Sequence, residues 1–336
     1  MKKVLIILVL IEAVAIGFLL TKQPEENMSK PRISPTNKPL LQYTYNNLRA
    51  YKAIGSDIQI DKEIRRGDGF ISYLFFFSIS SGKKVSGLIN IPNTSGNFPV
   101  ILLIRGFVDP AIYETGVGSQ RVGEYFASKG FITVSPDFLG YGQSDNPSLD
   151  ALEDRFQTYT TVIDLLASVK NLNTALTRKG IKNITSNTIK GIWAHSNGGQ
   201  IALSVAEITG FSCPLVLWAP VSKPFPYSIL YYTDEFDDKG KALRKILAQF
   251  EQNYNAEDYS LTNYFDWIKA PIQLHQGIND EAVPLVWSNT LKNVLIEKDK
   301  TVEYFTYPGE NHNFQNGGWQ KAVERSLDFV KTVTCL

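Results

Sequence analysis

The fold prediction depends on one stretch, Gly191-Ile192-Trp193-Ala194-His195-Ser196-Asn197-Gly198-Gly199. An apolar, β-favouring run leads into it, and residues 200–207 follow with the small side chains typical of a buried helix. Ala194 and Gly198 stand two positions before and after Ser196. Small residues at these positions fit a sharp strand-to-helix turn that strains the serine backbone and exposes its hydroxyl. We interpret Ser196 as a candidate nucleophile; the alternative is a glycine-rich loop that contains a serine by chance.

The rest of the chain contains two different patterns of predicted secondary structure. Three β-like runs, 57–64, 70–80 and 85–91, are separated by glycine-containing turns, which favours antiparallel pairing. After residue 98, apolar strands alternate with helices, as a parallel sheet buried on both faces requires. The predicted strands are 99–104, 131–135, 188–194, 214–219, 271–275 and 301–307, and the predicted helices are 119–129, 149–178, 197–209, 284–297 and 317–334. We expect an α/β fold with a mostly parallel central sheet, antiparallel N-terminal strands and helices on both faces.

Residues 221–270 interrupt this alternation with an aromatic cluster, an acidic turn and an amphipathic helix pattern at 241–252. The aromatic cluster comprises Phe225, Tyr227, Tyr231 and Tyr232. Fifty residues are too many for a plain connection between two core strands. We therefore predict a small cap over the site, inserted into a single domain that spans 43–336.

Only three histidines are available to act as a base toward the serine. His195 adjoins Ser196 and is expected to point away from it and pack beneath the turn. His275 lies inside an apolar strand, where a hydrogen-bonded structural role is expected. His312 follows the last predicted strand in a turn, free to reach the ends of the sheet. We therefore predict that His312 is the base.

The carboxylate that orients this base should follow the preceding strand. Asp280 lies there on a turn before a predicted helix, with Glu281 as its competitor and Asp234 as a weaker one. Capping of the following helix is an alternative role for Asp280. The chain order Ser196, Asp280, His312, each on a loop after a parallel strand, is the α/β-hydrolase arrangement.

An acyl-transfer site also needs backbone N–H groups that stabilise the negative charge developing on the carbonyl oxygen. Asn197, at the start of the helix after the serine, supplies one. Phe107 is predicted to supply the other from the turn after the first parallel strand, where Gly106 allows a close approach. Arg105 either adds positive charge there or pairs with an acid such as Asp109; the sequence leaves both open.

Composition excludes several other classes of function. A hydrophobic content of 43% with 20% charged residues is that of a globular protein. A net charge of +1, without a basic patch interleaved with aromatic residues, argues against a nucleic-acid partner. Two cysteines and three histidines without ligand spacing argue against zinc, and the sequence contains no phosphate-binding glycine motif. We predict no cofactor and no metal.

Residues 1–20 resemble a membrane-targeting segment. Lys2 and Lys3 precede an apolar run of seventeen residues, about 25 Å as a helix against a hydrocarbon core of about 30 Å. We predict an uncleaved membrane anchor with the rest of the protein outside the cytoplasm; a cleaved signal peptide, giving a secreted protein, or a buried helix are alternatives. Residues 21–42, rich in Pro, Lys, Asn and Glu, are predicted to be an extended linker.

Cys213 and Cys335 both lie in the part predicted to be exported. An oxidising compartment permits a disulfide between them. Cys213 also opens an apolar strand, so a buried free thiol is the alternative.

Four motifs resemble the prolyl oligopeptidase branch (S9) of the α/β hydrolases, with dienelactone-hydrolase-like esterases as close relatives. They are Ser196-Asn197-Gly198-Gly199, Ser135-Pro136-Asp137, residues 277–284 and residues 309–312. The likeness covers about residues 70–335, and it implies that Ser196, Asp280 and His312 form the catalytic triad.

The sequence departs from that family in two places. The 43–95 segment is far too short for the β-propeller that precedes the hydrolase domain in the well-known oligopeptidases. Arg105 stands where some members have an oxyanion-hole tyrosine. The resemblance implies a serine hydrolase that acts on a small peptide or ester; it slightly favours a peptidase over a carboxylesterase. A non-catalytic binding protein with the same fold is the alternative of a different class.

Overall fold

A single sheet forms the centre of the protein. The computed structural model describes residues 38–183, 185 and 189–336. The strands are β1 (Gln59–Gly67), β2 (Phe70–Ser78), β3 (Lys84–Pro92), β4 (Val100–Ile104), β5 (Ile132–Pro136), β6 (Ile189–His195), β7 (Leu215–Trp218), β8 (Ile272–Gly277) and β9 (Val302–Tyr307). Within the described residues they pair in the order β1-β2-β3-β5-β4-β6-β7-β8-β9. Pairing is antiparallel from β1 to β5 and parallel from β5 to β9, which confirms the predicted sheet of the α/β-hydrolase fold.

Helices cover both faces of this sheet, as predicted. They are α1 (Tyr45–Arg49), α2 (Gln120–Ser128), α3 (Ala151–Ser168), α4 (Leu172–Arg178), α5 (Asn197–Thr209), α6 (Tyr227–Leu230), α7 (Lys241–Glu251), α8 (Leu285–Glu297) and α9 (Trp319–Thr332). Alternate side chains of β4 point to opposite faces. Val100, Leu102 and Ile104 share a core with α3, α5 and α8, whereas Ile101 and Leu103 share one with α2 and α9. Each such fully buried side chain stabilises the fold by about 1.5–3 kcal/mol.

The parallel strands bring the candidate residues to one edge of the sheet. Strands β4, β6, β8 and β9 all run in the same direction, so their carboxyl ends lie side by side. The loops after these four strands carry Phe107, Ser196, Asp280 and His312 respectively. Residues that are far apart in sequence therefore meet at this edge.

The long helix predicted over 149–178 is divided in the structure. A 3-10 turn, Val169–Asn171, separates α3 from α4. Ser168 Oγ bonds back to the Asp164 carbonyl and also accepts the backbone N–H of Ser56. Such back-bonding by serine bends helices, and here the segment before β1 docks against the bend.

The insertion between β7 and β8 contains α6, α7 and several 3-10 turns. Its predicted amphipathic helix is confirmed as α7, but its aromatic cluster is divided. Phe225 is buried against Phe250, whose ring centroid lies 5.5 Å away. Tyr231 is 40% exposed and stands edge-on to Trp287 at 4.8 Å. One part of the insertion therefore belongs to the core, and the other presents aromatic rings at its surface.

The predicted linker ends earlier than expected. Residues 39–43 form a 3-10 turn in which Leu40 is buried, and the Leu40 carbonyl accepts a hydrogen bond from the Tyr259 hydroxyl at 3.0 Å. Apolar contact with the insertion thus makes 39–42 part of the folded domain. The predicted anchor, 1–20, and the linker up to residue 37 lie outside the described residues. Among the residues described, no helix has the length and apolar character needed to span a membrane.

The two cysteines form a disulfide, with an S–S distance of 2.08 Å. This decides between the alternatives left open by the sequence. Cys213 lies just before β7 and Cys335 follows α9, so the bond ties the last helix to the amino-terminal edge of the parallel strands, opposite the candidate site.

Candidate active site

Ser196 occupies a strained turn between β6 and α5. Its φ of 55° and ψ of −123° lie in a region that non-glycine residues rarely adopt, and such strain concentrates at functional sites. A Cβ on Gly198 would stand 2.3 Å from the Ile104 carbonyl oxygen, and one on Gly106 would stand 2.9 Å from Ser196 Cβ. The small residues of the motif are therefore required by backbone packing, as the sequence predicts.

The serine is more enclosed than the sequence suggests. Ser196 is only 3% exposed, since the loop after β4 approaches it at Gly106. The loop after β7 adjoins it on the other side, where the Val221 N–H donates to the Ser196 carbonyl at 3.0 Å. The candidate nucleophile thus lies in a recess.

Asp280 and His312 form a hydrogen-bonded pair at the same edge. His312 Nδ1 lies 3.0 Å from Asp280 Oδ1 and 2.9 Å from Oδ2. Asp280 Oδ1 also accepts the backbone N–H groups of Ala282 and Val283, and its side chain is inaccessible to solvent. Burial acts to raise the pKa of the Asp280 carboxyl, but the hydrogen bond and charge of His312 and the two N–H groups leave this pKa below its usual value. The carboxylate is therefore ionised and fixes the imidazole.

His312 lies beside the serine turn. Its carbonyl accepts from His195 Nε2 at 3.0 Å, and the two imidazole centroids are 4.6 Å apart. Between the described residues, no hydrogen bond joins Ser196 Oγ to His312. Bonds between a nucleophile and its base often tighten only when substrate is bound.

The competing candidates have other contacts. Glu281 Oε2 accepts the backbone N–H of His312 at 3.3 Å and does not contact its ring. Asp234 is exposed and pairs with Arg244 in the cap. His275 is buried between Tyr307 and Gln273 as a structural residue, as predicted.

The backbone N–H groups of Phe107 and Asn197, near Ser196, have no hydrogen-bond partner among the described residues. Arg105 explains how one of them is oriented. Its guanidinium donates to the Gly106 carbonyl at 2.9 Å and to the Asp137 carbonyl at 2.8 Å. Because C=O and N–H of a trans peptide point in opposite directions, holding the Gly106 carbonyl turns the Phe107 N–H away from Arg105.

The structure therefore answers the question about Arg105. No ion pair joins it to Asp109 within the described part of the chain, since Asp109 instead caps the turn Pro110–Ile112. The guanidinium lies over the rings of Tyr113 and Tyr141, at 4.5 and 4.0 Å. Arg105 is a buried cation that braces the turn after β4.

Gln276 is a residue of this site that the sequence reasoning missed. It is fully buried at the end of β8, where its Nε2 donates to Asp280 Oδ2 at 2.8 Å and its Oε1 accepts from Ser288 Oγ at 2.7 Å. A polar residue at the end of an otherwise apolar strand was the available signal. In the described residues, no group of three or more His, Cys, Asp or Glu side chains could hold a metal ion.

Known proteins match this chain in sequence and in fold. The sequence pattern of the prolyl oligopeptidase family matches residues 119–334. The uncharacterized peptidase YtmA of Bacillus subtilis is 26% identical over 259 residues, which cover 75% of this chain and 91% of that protein.

Two solved structures illustrate the likeness in fold. The acetyl xylan esterase of Paenibacillus sp. R4 is similar with a TM-score of 0.58 and 15% identity, over 88% of this chain and 95% of that one. A putative dipeptidyl aminopeptidase IV of Bacteroides ovatus is similar with a TM-score of 0.56 and 16% identity, over 79% of this chain and 36% of that one. These structural matches show the fold alone, while the sequence match shows more: the chain belongs to the prolyl oligopeptidase family and is a serine hydrolase.

Proposed function

We propose that this protein hydrolyses peptide or ester bonds of small substrates with Ser196 as nucleophile, His312 as general base and acid, and Asp280 as the group that orients His312. The observation that carries the proposal is the buried Asp280–His312 pair, held beside the strained turn of Ser196. A chain with this fold that only binds ligands would have no need for such a pair.

In the proposed reaction, Ser196 Oγ bonds to the carbonyl carbon of the substrate while its proton passes to His312 Nε2. The bond from that carbon to the leaving nitrogen or oxygen then breaks, and His312 gives the proton to the leaving atom. Water completes the cycle: it gives a proton to His312, its oxygen bonds to the acyl carbon, and Ser196 Oγ leaves with that proton.

The oxyanion formed in both steps needs fixed donors. The unpartnered N–H groups of Phe107 and Asn197 suit this role, and Arg105 orients the first of them through the Gly106 carbonyl. Removal of one such donor commonly lowers kcat by about 100-fold to 1,000-fold.

Peptide and ester bonds are the two candidate substrates. Membership of the family and the relative named a peptidase slightly favour peptide bonds. A carboxylesterase is the second candidate, favoured by the structure of segment 43–95. In this chain that segment forms α1 and β1 to β3 of the hydrolase domain, and not a separate domain that selects peptides.

A fluorophosphonate probe on the purified full-length protein tests the proposal. We expect covalent labelling at Ser196, its loss in Ser196→Ala, and unchanged labelling in Ser128→Ala, a serine at the end of α2. If the folded protein is not labelled, the catalytic proposal is wrong, and the alternative of a non-catalytic binding protein with the same fold is favoured. Nitrophenyl esters and aminoacyl-naphthylamides, assayed side by side, then decide between esterase and peptidase.

We also propose that the protein works outside the cytoplasm, anchored or exported by residues 1–20. The Cys213–Cys335 disulfide supports this, since disulfides persist chiefly in oxidising compartments. Intact cells that produce the protein should react with a membrane-impermeant fluorophosphonate at Ser196; labelling only after lysis contradicts the proposed location.

A further inference from the structure

A cavity of about 530 Å³ adjoins the candidate site on the α2/α9 side of the sheet. Its walls include His195, the neighbour of Ser196, and Asn313, the neighbour of His312. The cavity thus begins one residue from each of the two groups proposed to exchange a proton. Its volume is within the range of sites that hold small molecules.

Aromatic side chains form part of the lining of this cavity. Trp193, Trp218 and Trp319 all line it. Trp193 is 2% exposed, and its indole N–H has no hydrogen-bond partner within the described residues. This nitrogen is buried away from the cavity, so the indoles offer a bound molecule apolar ring surface. Flat apolar surface suits an aromatic or other planar group.

The charge of the cavity is positive and comes from one residue. Arg65 and Glu124, both in the lining, balance each other at 3.3 Å, and Glu124 also accepts from Gln120. Arg121 lies over the Trp319 ring at 3.7 Å and has no carboxylate partner among the described residues. A guanidinium held on an indole face is a fixed, unneutralised cation, and its planar N–H groups match a carboxylate.

We propose, resting on the function proposed above, that this cavity binds the leaving group of the substrate and selects a leaving group that carries a carboxylate. His312 must return its proton to the leaving atom, so that atom lies next to His312. His312 itself does not line the cavity, but the next residue, Asn313, lines it together with Arg121. The substrate class is therefore an ester or peptide whose alcohol or amine portion bears a carboxylate beside a planar or apolar group.

A matched pair of esters tests this. The pair is para-acetoxybenzoate and its methyl ester, which share the acetyl group and the aromatic leaving group but differ in the carboxylate charge. We expect the native enzyme to favour para-acetoxybenzoate, and Arg121→Gln to lower kcat/KM for it about tenfold, since the variant loses the charge that pairs with the carboxylate. The kcat/KM for the methyl ester should change less than twofold in this variant.

The control is Arg49→Gln. Arg49 also lies over an indole, that of Trp267 at 4.1 Å, but does not line the cavity. The Arg49→Gln variant should leave kcat/KM for both esters unchanged. Equal effects of Arg121→Gln on both esters, or none, overturn the assigned cavity while leaving hydrolysis intact. If neither ester is cleaved by the native enzyme and the fluorophosphonate probe does not label Ser196, the proposed function itself has failed. Labelling at Ser196 without cleavage of either ester keeps that function and overturns the assigned leaving group.

Discussion

Gln276 connects the core of the protein to the candidate triad. Its amide links Ser288 on α8 to Asp280, so that the carboxylate has donors on both oxygens. Gln276 is fully buried and acts on the reaction only through Asp280. It is therefore a positioning residue.

Replacement of Gln276 by Leu should lower kcat about tenfold with little change in KM. The lost donor to Asp280 Oδ2 is a hydrogen bond to a charged group, worth about 1.5–3 kcal/mol. The carboxylate that loses it gains basicity, so its pKa should rise and the acid limb of the kcat profile should move to higher pH. Steady-state kinetics with a nitrophenyl ester across the pH range would measure both changes.

Ser288→Ala is the matched control for Gln276→Leu. It removes the partner of Gln276 Oε1 but leaves the donor to Asp280, so its kcat should fall by less. A loss of stability in both variants without any shift of the pH profile would show that Gln276 serves the fold alone.

The residues of the candidate site differ in how well the sequence reveals them. Ser196, Asp280 and His312 follow predictable strands and belong to residue types with evident chemistry. Gln276 lies within a strand, and Arg105 bonds to carbonyls rather than to an acid. Neither the spacing of residues nor the charge pattern of a sequence reveals a side chain that bonds to backbone carbonyls or acts through another residue.

The disulfide joins the segment after α9 to the segment between α5 and β7. It fixes the end of α9 to the segment that enters β7, across 122 residues of chain. Constraint of so long a loop in the unfolded chain stabilises a protein by up to about 4–5 kcal/mol.

Cys213→Ala combined with Cys335→Ala should therefore lower the urea midpoint of unfolding by an amount equivalent to about 2–4 kcal/mol. Esterase or peptidase activity at low temperature should remain, because the bond lies at the edge of the sheet opposite Ser196. Addition of a thiol reductant to the native protein should reproduce the shift and leave the double variant unchanged. Equal midpoints for all samples would contradict the prediction.

The sequence predicts which helices and strands are present better than it predicts where they begin and end. The helix after Ser196 has the predicted bounds, Asn197–Thr209, because the strained turn fixes its start and Gly210 its end. The helix predicted over 149–178 is divided because a distant segment docks on it. A Cβ at Gly55 would stand 2.3 Å from the Ala167 carbonyl oxygen. Local patterns do not report contacts between such distant segments.

Buried titratable groups make the free energy of unfolding depend on pH. Some of them destabilise the protein as pH falls, and another does so as pH rises. Burial and the charge of His312 lower the pKa of His195 to about 3, and burial and Arg325 lower that of His275 to about 3. Unfolding returns each to its usual 6.5, so the unfolded chain binds these protons first and stability falls as pH drops below 6.5. Glu207 acts in the opposite sense: burial raises its pKa well above 4.5, and its carboxyl has no hydrogen-bond partner among the described residues. The folded protein keeps its proton, and stability falls as pH rises above 4.5.

These signs predict separate effects for two conservative variants. His275→Gln removes one proton taken up on unfolding, so between pH 6 and 4 the free energy of unfolding should depend less steeply on pH, by about 1.4 kcal/mol per unit. Glu207→Gln supplies the neutral form permanently, so it should stabilise the protein near pH 7 and change little below pH 4.5. Urea unfolding of both variants and the native protein at a series of pH values measures the two slopes. Parallel curves for all three proteins would contradict both assignments, whereas opposite changes in slope would assign the acid sensitivity to His275 and the loss of stability at higher pH to Glu207.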